Sequence, residues 1–298
     1  MILTRQIAVV LFLVVLVIFS RAATAPAAPE EESLLRAAHE QNQARLENSI
    51  FGLPLYLDSF VQENLVQVDV HGILGEPFAE LAEALANPIN WCEIVFLHPN
   101  TKACTSTETP QGSRLVFYLG RKHYQPPHES NQVSYRFQVV ARRETYLDIL
   151  LLAEDGPFGT RNHRIAVQAL PLDQERSFVR VSYSYASSLR LRLAEHAYFT
   201  TLGAGKVGFT VVGEDALGNP VHIDGARGAV ERNAARYYFA IQAFMHALPA
   251  PTQDRLHLRL EHWYDLTDRY RKQLFELERD EYLEIKVREH ENQRRLQR

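Results

Sequence analysis

Val179-Arg180-Val181-Ser182-Tyr183-Ser184-Tyr185 alternates without a break, with Val179, Val181, Tyr183 and Tyr185 on one side and Arg180, Ser182 and Ser184 on the other. A period of two puts successive side chains on opposite faces, so this stretch reads as a β-strand with one apolar and one wet face. Upstream, Val66, Val68 and Val70 alternate with Gln67, Asp69 and His71, and Tyr135, Phe137 and Val139 alternate with Ser134, Arg136 and Gln138. Further strands are expected after Cys104 and near 113–120, 145–153 and 163–170, separated by Pro110-Gln111-Gly112, Gln125 to Gln132, Asp155-Gly156-Pro157 and Pro171-Leu172-Asp173. Short connections between consecutive strands predict an antiparallel meander of about seven strands.

The period changes twice. After the first strand, Glu76-Pro77 opens a helix in which Phe78, Leu81, Ala82 and Leu85 share a face, and Asn87-Pro88 ends it before a second turn carrying Trp91. After the meander, Val230, Ala234, Tyr237, Ile241, Phe244 and Leu248 recur at steps of four and three, one stripe of a long helix. A sheet with one apolar face needs a cover, and this stripe can supply it. Beyond Pro249 and Pro251, Leu256, Leu260, Trp263, Tyr270, Leu274 and Leu277 mark another amphipathic segment, whereas Arg279 to Arg298 is mostly charged and is expected to fray.

This order, a strand, two helices closing on a Trp, more antiparallel strands and a long helix, resembles the START-like or polyketide-cyclase-like superfamily (SRPBCC, the helix-grip fold). The local text carries the same resemblance: Val68 to Gly72, then Glu76-Pro77-Phe78-Ala79-Glu80-Leu81-Ala82, then Asn87-Pro88 and Asn90-Trp91. The likeness covers roughly residues 60 to 248. It implies an α+β fold in which a curved sheet and a long helix enclose a cavity for apolar ligands such as lipids, sterols or polyketides, in a superfamily with relatively few enzymes. A helix and strand expected over 188–213, and the helices after 249, depart from the minimal fold.

The N-terminus speaks about compartment. Arg5 precedes an unbroken apolar run, Ile7 to Phe19, followed by Ser20-Arg21-Ala22-Ala23-Thr24-Ala25. The run is shorter than the roughly 20 residues that span a bilayer, so residues 1–22 read as a signal peptide cut after Ala22, with an uncleaved anchor as the alternative. Either reading places the domain outside the cytoplasm, periplasmic or extracellular. The segment 23–59 then forms a spacer and an N-terminal helix, 60–248 the domain and 249–298 a helical extension. The chain has two cysteines, Cys92 and Cys104, which in an oxidising compartment read as a disulfide.

With 298 residues, 46% hydrophobic and a net charge of -4, the chain is an ordinary folded protein without a general attraction for nucleic acid. Gly203-Ala204-Gly205-Lys206-Val207-Gly208 matches a dinucleotide-binding fingerprint in letters, but it follows an expected helix and precedes an expected strand, the reverse of the required order. No nucleotide or other cofactor is expected. The twelve histidines make no metal-binding spacing, and His257 and His262 fall about 140° apart on a helix, so no metal is expected either. No nucleophile motif appears and no catalytic residue is assigned.

The candidate cavity is the space between Tyr237, Ile241 and Phe244 on the helix and Phe137, Val181, Tyr183 and Tyr185 on the sheet. Alternate hairpin loops of a meander emerge at one end, so Arg121, Lys122 and His123 are expected to join Arg161 and His163, with Arg190 and Arg192, in a patch for an anionic group. The expected function is that of a monomeric, non-catalytic binding protein for an apolar or lipid-like molecule. A polyketide-cyclase-like enzyme, signalled by His, Asp and Arg buried in the pocket, is the first alternative. An envelope accessory or interaction protein, with a filled core and an exposed apolar stripe over 252–277, is the second.

Overall fold

The computed structural model describes residues 28–187 and 205–298. The expected signal peptide 1–22, the expected 189–202 helix with Arg190 and Arg192, and Gly203-Ala204 lie outside the described residues. No helix among the described residues is long and apolar enough to cross a membrane.

Two helices, α1 (Ala28–Gln41) and α2 (Gln43–Glu47), precede the hairpin β1 (Leu55–Gln62) and β2 (Leu65–Leu74). The chain then crosses to the far edge through α3 (Phe78–Ala86) and α4 (Pro88–Val95). From there it returns by β3 (Thr101–Thr109), β4 (Gly112–Leu119), β5 (Asn131–Arg142), β6 (Leu147–Asp155), β7 (Arg161–Pro171) and β8 (Ser177–Ala186). The eight strands form one antiparallel sheet in the order β1-β2-β8-β7-β6-β5-β4-β3. The long helix α5 (Gly225–Ala247) packs across β1, β2 and β8. A long helix lying across a broad antiparallel sheet is the helix-grip arrangement expected from the sequence, with eight strands where seven were expected.

The added strand is β1, so the sheet begins at Leu55 and the boundary expected at residue 60 falls inside a strand. Its outer side chain Tyr56 is buried because Arg45 of α2 lies 4.1 Å from its ring centre, which breaks the alternation that marks the other strands. Close packing of α5 on β2 depends on Gly72, where a Cβ would sit 2.1 Å from the Tyr238 hydroxyl. Asn87 caps α4 by accepting from the Ile89 N–H at 3.1 Å, and Trp91 Nε1 donates to the Leu85 carbonyl at 2.7 Å. Cys92 and Cys104 are bonded, tying α4 to β3 as expected.

Outside the sheet, α1 and α2 bury Leu35 and Leu46 with Tyr146, Leu170 and Phe178, covering part of the face opposite α5. On the other side, α6 (Arg255–Asp268) packs against α5, followed by the single turn α7 (Arg271–Leu274). Leu260, Trp263, Leu266 and Leu274 join the same core as the sheet, so the apolar stripe of 252–277 is buried rather than exposed.

The largest departure is at the C-terminus. Arg279 to Arg298 does not fray: α8 (Arg279–Leu296) packs along β3 and buries Tyr282, Lys286, Glu289 and Gln293. Lys102 and Lys286 both pair with Glu289, at 2.8 and 2.9 Å. Lys286 donates to the Thr101 carbonyl at 2.6 Å, and Lys102 to the carbonyls of Pro99 and His123 at 2.8 and 3.1 Å. Further along, the Cys104 N–H donates to Gln293 at 2.8 Å, while Gln297 accepts from the Ser106 N–H and donates to the Ser106 carbonyl, both at 2.8 Å. These amides do for the edge of β3 what a neighbouring strand would do.

Candidate functional site

A cavity of about 590 Å³ opens between the inner face of the sheet and α5, at the end of the sheet where the 120–131 loop meets the β6–β7 turn. Phe117 and Leu119 of β4, Tyr135 of β5 and Ile165 of β7 form its apolar walls. Tyr183 and His163 enter from β8 and β7, Asn233 and Tyr237 from successive turns of α5, and His98 and Asn100 from the α4–β3 corner. Both expected loops do reach this end, since Gly120, Arg121, Gln125 and Pro157 all border it.

Of the expected cavity residues, Tyr183 and Tyr237 line it. Phe137, Val181, Ile241 and Phe244 are buried in the packed core and do not border the space. The stripe therefore located the right faces but continued past the cavity into solid packing. Tyr185 is partly buried with its ring stacked 5.5 Å from His163.

The expected anionic-group patch comes apart. Lys122 turns to Glu276, which Arg236 and Lys206 also hold at 2.6 and 3.2 Å. His123 contributes its backbone carbonyl to Lys102, and Arg161 pairs at the surface with Asp155 at 3.3 Å. Arg121 and His163 remain at the cavity. Arg121 is exposed at the mouth and has no ion-pair partner among the described residues, with Glu129 also bordering the opening.

His163 is not a cation. Burial pushes its imidazole down to about 4, and its two nitrogens meet the Tyr183 hydroxyl at 3.0 Å and the Thr160 hydroxyl at 2.8 Å. His98 is also held well below the ordinary histidine value, by burial and then by Arg236. Its Nδ1 accepts from the Asn100 N–H at 3.1 Å, so Nε2 carries the proton and faces Asn233 Oδ1 at 3.3 Å. Its ring stacks on Tyr237 at 5.1 Å. Asn100 in turn donates to the Gly120 carbonyl at 2.7 Å, fixing the corner to the loop.

Three phenols converge here, and burial raises all three, with Tyr237 pushed up to about 12. They are neutral donors at physiological pH. The Tyr135 hydroxyl and the Asn233 amide nitrogen have no hydrogen-bond partner among the described residues. Among those residues, no three His, Cys, Asp or Glu come together to hold a metal. Asn233 could have been found, because it precedes Tyr237 by one helical turn on the same face. His98 and Asn100 lie on a corner whose position only the fold supplies.

No protein-family model and no curated protein matches the chain. Solved structures do. A START superfamily protein from Mycobacterium smegmatis is 12% identical, covering 46% of this chain and 89% of that one, with a TM-score of 0.33. Norcoclaurine synthase from Thalictrum flavum is 10% identical over 48% of this chain and 87% of its own, at 0.33. An aromatase/cyclase from Streptomyces sp. R1128 is 16% identical over 70% and 94%, at 0.31.

Proposed function

We propose that the chain is a binding protein that holds a mostly apolar small molecule in the 590 Å³ cavity, with the polar end of the ligand toward Arg121. The volume lies in the range of small-molecule sites. The observation that carries the reading is the state of the cavity's polar groups. Tyr135 and Asn233 line the space with donors that have no partner among the described residues, while both imidazoles have each ring nitrogen engaged by the protein. Neutral donors set in apolar walls orient a ligand. The charged groups at the mouth are Arg121 and Glu129, so a carboxylate, sulfonate or phosphate end would meet Arg121 in solvent. The resemblance to a ligand-carrying superfamily supports the same conclusion.

Uptake of 1-anilinonaphthalene-8-sulfonate, followed by its fluorescence, tests this. Saturable uptake is expected in the parent chain, is expected to be lost in Tyr237→Leu, and is expected to survive in Phe244→Leu, whose site is solid core. Uptake that is absent in the parent, or equal in Tyr237→Leu, would defeat the reading. Export belongs to the same proposal: cleavage after Ala22 would leave 30 basic and 36 acidic residues. Finding Met1 on the exported protein would favour the anchored form.

A further inference from the structure

The face of the sheet opposite the cavity carries a row of arginines. Arg114 on β4 stands directly opposite Arg136 on β5, Arg136 opposite Leu152 on β6, and Leu152 opposite Arg164 on β7. Four adjacent strands therefore present Arg-Arg-Leu-Arg along a line perpendicular to their direction. All three arginines are exposed, and none makes a hydrogen bond or ion pair through its side chain among the described residues. Like charges directly opposite one another cost stability. Elsewhere on the same face the arrangement is different: Arg180 of β8 is met by Asp69 of β2 at 3.0 Å. The row lies in a groove of about 1030 Å³ bordered by Gln132, Ser134 and Asn162. Glu154 and Asp155 of β6 also line it, Glu154 on the same outward face two residues beyond Leu152 and Asp155 already engaged by Arg161, and Arg164 acts on the buried carboxyl of Asp148. Helix α1 covers the other end of this face, near Gln168 and Leu170, and leaves the groove open.

We infer that this groove binds an acidic polysaccharide, a linear glycan with an anionic group on alternate sugars. Adjacent strands are about 4.8 Å apart, so Arg114 and Arg136 can share one carboxylate or sulfate, and Arg164 lies about 10 Å beyond Arg136. That interval is close to a disaccharide repeat and much longer than the spacing along a polyphosphate. Leu152 between the two anion positions offers an apolar platform for a sugar ring, and the flanking amides and hydroxyl match sugar hydroxyls. A phosphate backbone would place unmet charges over Leu152.

Calorimetric titration of the full chain with a hyaluronan octasaccharide tests the assignment. Saturable binding is expected, weakening as salt rises, with a loss of about tenfold in Arg136→Gln and no binding in the triple variant Arg114→Gln/Arg136→Gln/Arg164→Gln. The neutral hexamer of N-acetylglucosamine should not bind. Both variants should unfold at or slightly above the parent's thermal midpoint, since the repulsion between Arg114 and Arg136 is relieved, and keep its uptake of the cavity probe. Ser134→Glu, which adds an acid inside the groove, should also abolish binding and serves if the triple variant does not fold. Absence of binding to the octasaccharide, undiminished binding in the triple variant, or tighter binding of a dT oligonucleotide or of phosphatidylglycerol vesicles would overturn the inference.

Discussion

Beneath α8, Lys102, Lys286 and Glu289 are fully buried and hydrogen-bonded to one another or to backbone carbonyls. On the other side of the His98 corner, Tyr135 is buried and Asn233 partly buried where they line the cavity, and their donors have no partner among the described residues. The two regions even share a segment, since Lys286 donates to Thr101 and the Tyr237 phenol has Thr101 beside it. The chain can thus satisfy buried polar groups completely with its own atoms, and around the cavity it does not. Unpaired polarity beside a fully paired network is what a site for an external partner looks like.

The contrast is broken most severely by removing Glu289. Glu289→Ala leaves two buried ammonium groups without their counter-charge and should cost about 3–5 kcal/mol in chemical denaturation. Burial pushes Lys286 down to about 8 even with Glu289 present, so in the variant that lysine should lose its proton near neutral pH. If Glu289→Ala unfolds at the parent's midpoint, the network contributes nothing to stability. Next comes the disulfide: Cys92→Ala/Cys104→Ala should cost about 3 kcal/mol by the chain-entropy estimate, again by denaturation.

Acid provides a smaller effect on the cavity side. His163 titrates near 4 in the folded chain and at an ordinary value once unfolded, so the unfolded state binds the extra proton first as pH falls. Stability on this account is complete above about pH 6.5 and declines toward pH 4, by up to about 2–3 kcal/mol. His163→Gln should flatten the stability profile over that window, and an unchanged slope would show that the imidazole is not held neutral. The smallest effect sharpens the comparison most. Tyr282→Phe deletes a hydroxyl bonded to the Leu97 carbonyl at 2.8 Å and should cost about 1 kcal/mol, whereas Tyr135→Phe deletes one with no such partner and should cost almost nothing while weakening uptake of the sulfonate probe. Equal losses of stability would place the Tyr135 hydroxyl in a hydrogen bond of its own.

Period and order made most of the architecture legible. Val66-Val68-Val70, Val179-Val181 and the stripe from Val230 to Phe244 report which side chains face inward, and two cysteines in a chain with an export-like leader leave one pairing. Two features were hidden for physical reasons. The buried face of α8 is Tyr282, Lys286, Glu289 and Gln293, a helical stripe made of polar groups that hydropathy assigns to solvent. A polar stripe buries as readily as an apolar one when every group finds a partner, and the partners here lie on a strand far away in sequence. The cavity was hidden in a different way. Periodicity identifies a face but not how far along that face the packing is solid, so Phe244 and Tyr237 read alike although one is in the core and the other at the opening.

The bonds from Gln297 to Ser106 carry a consequence for the timing of synthesis. Their partners are 191 residues apart, and at roughly 5–20 residues per second a chain made from its N-terminus waits about 10–40 s between completing β3 and receiving the amide that caps it. Throughout that interval the strand is a sticky, half-paired template in a crowded compartment. A nascent chain of this design has reason to be escorted by a holding factor until its last turn has been delivered, and ribosomes stalled before α8 should yield clumped rather than merely shortened protein.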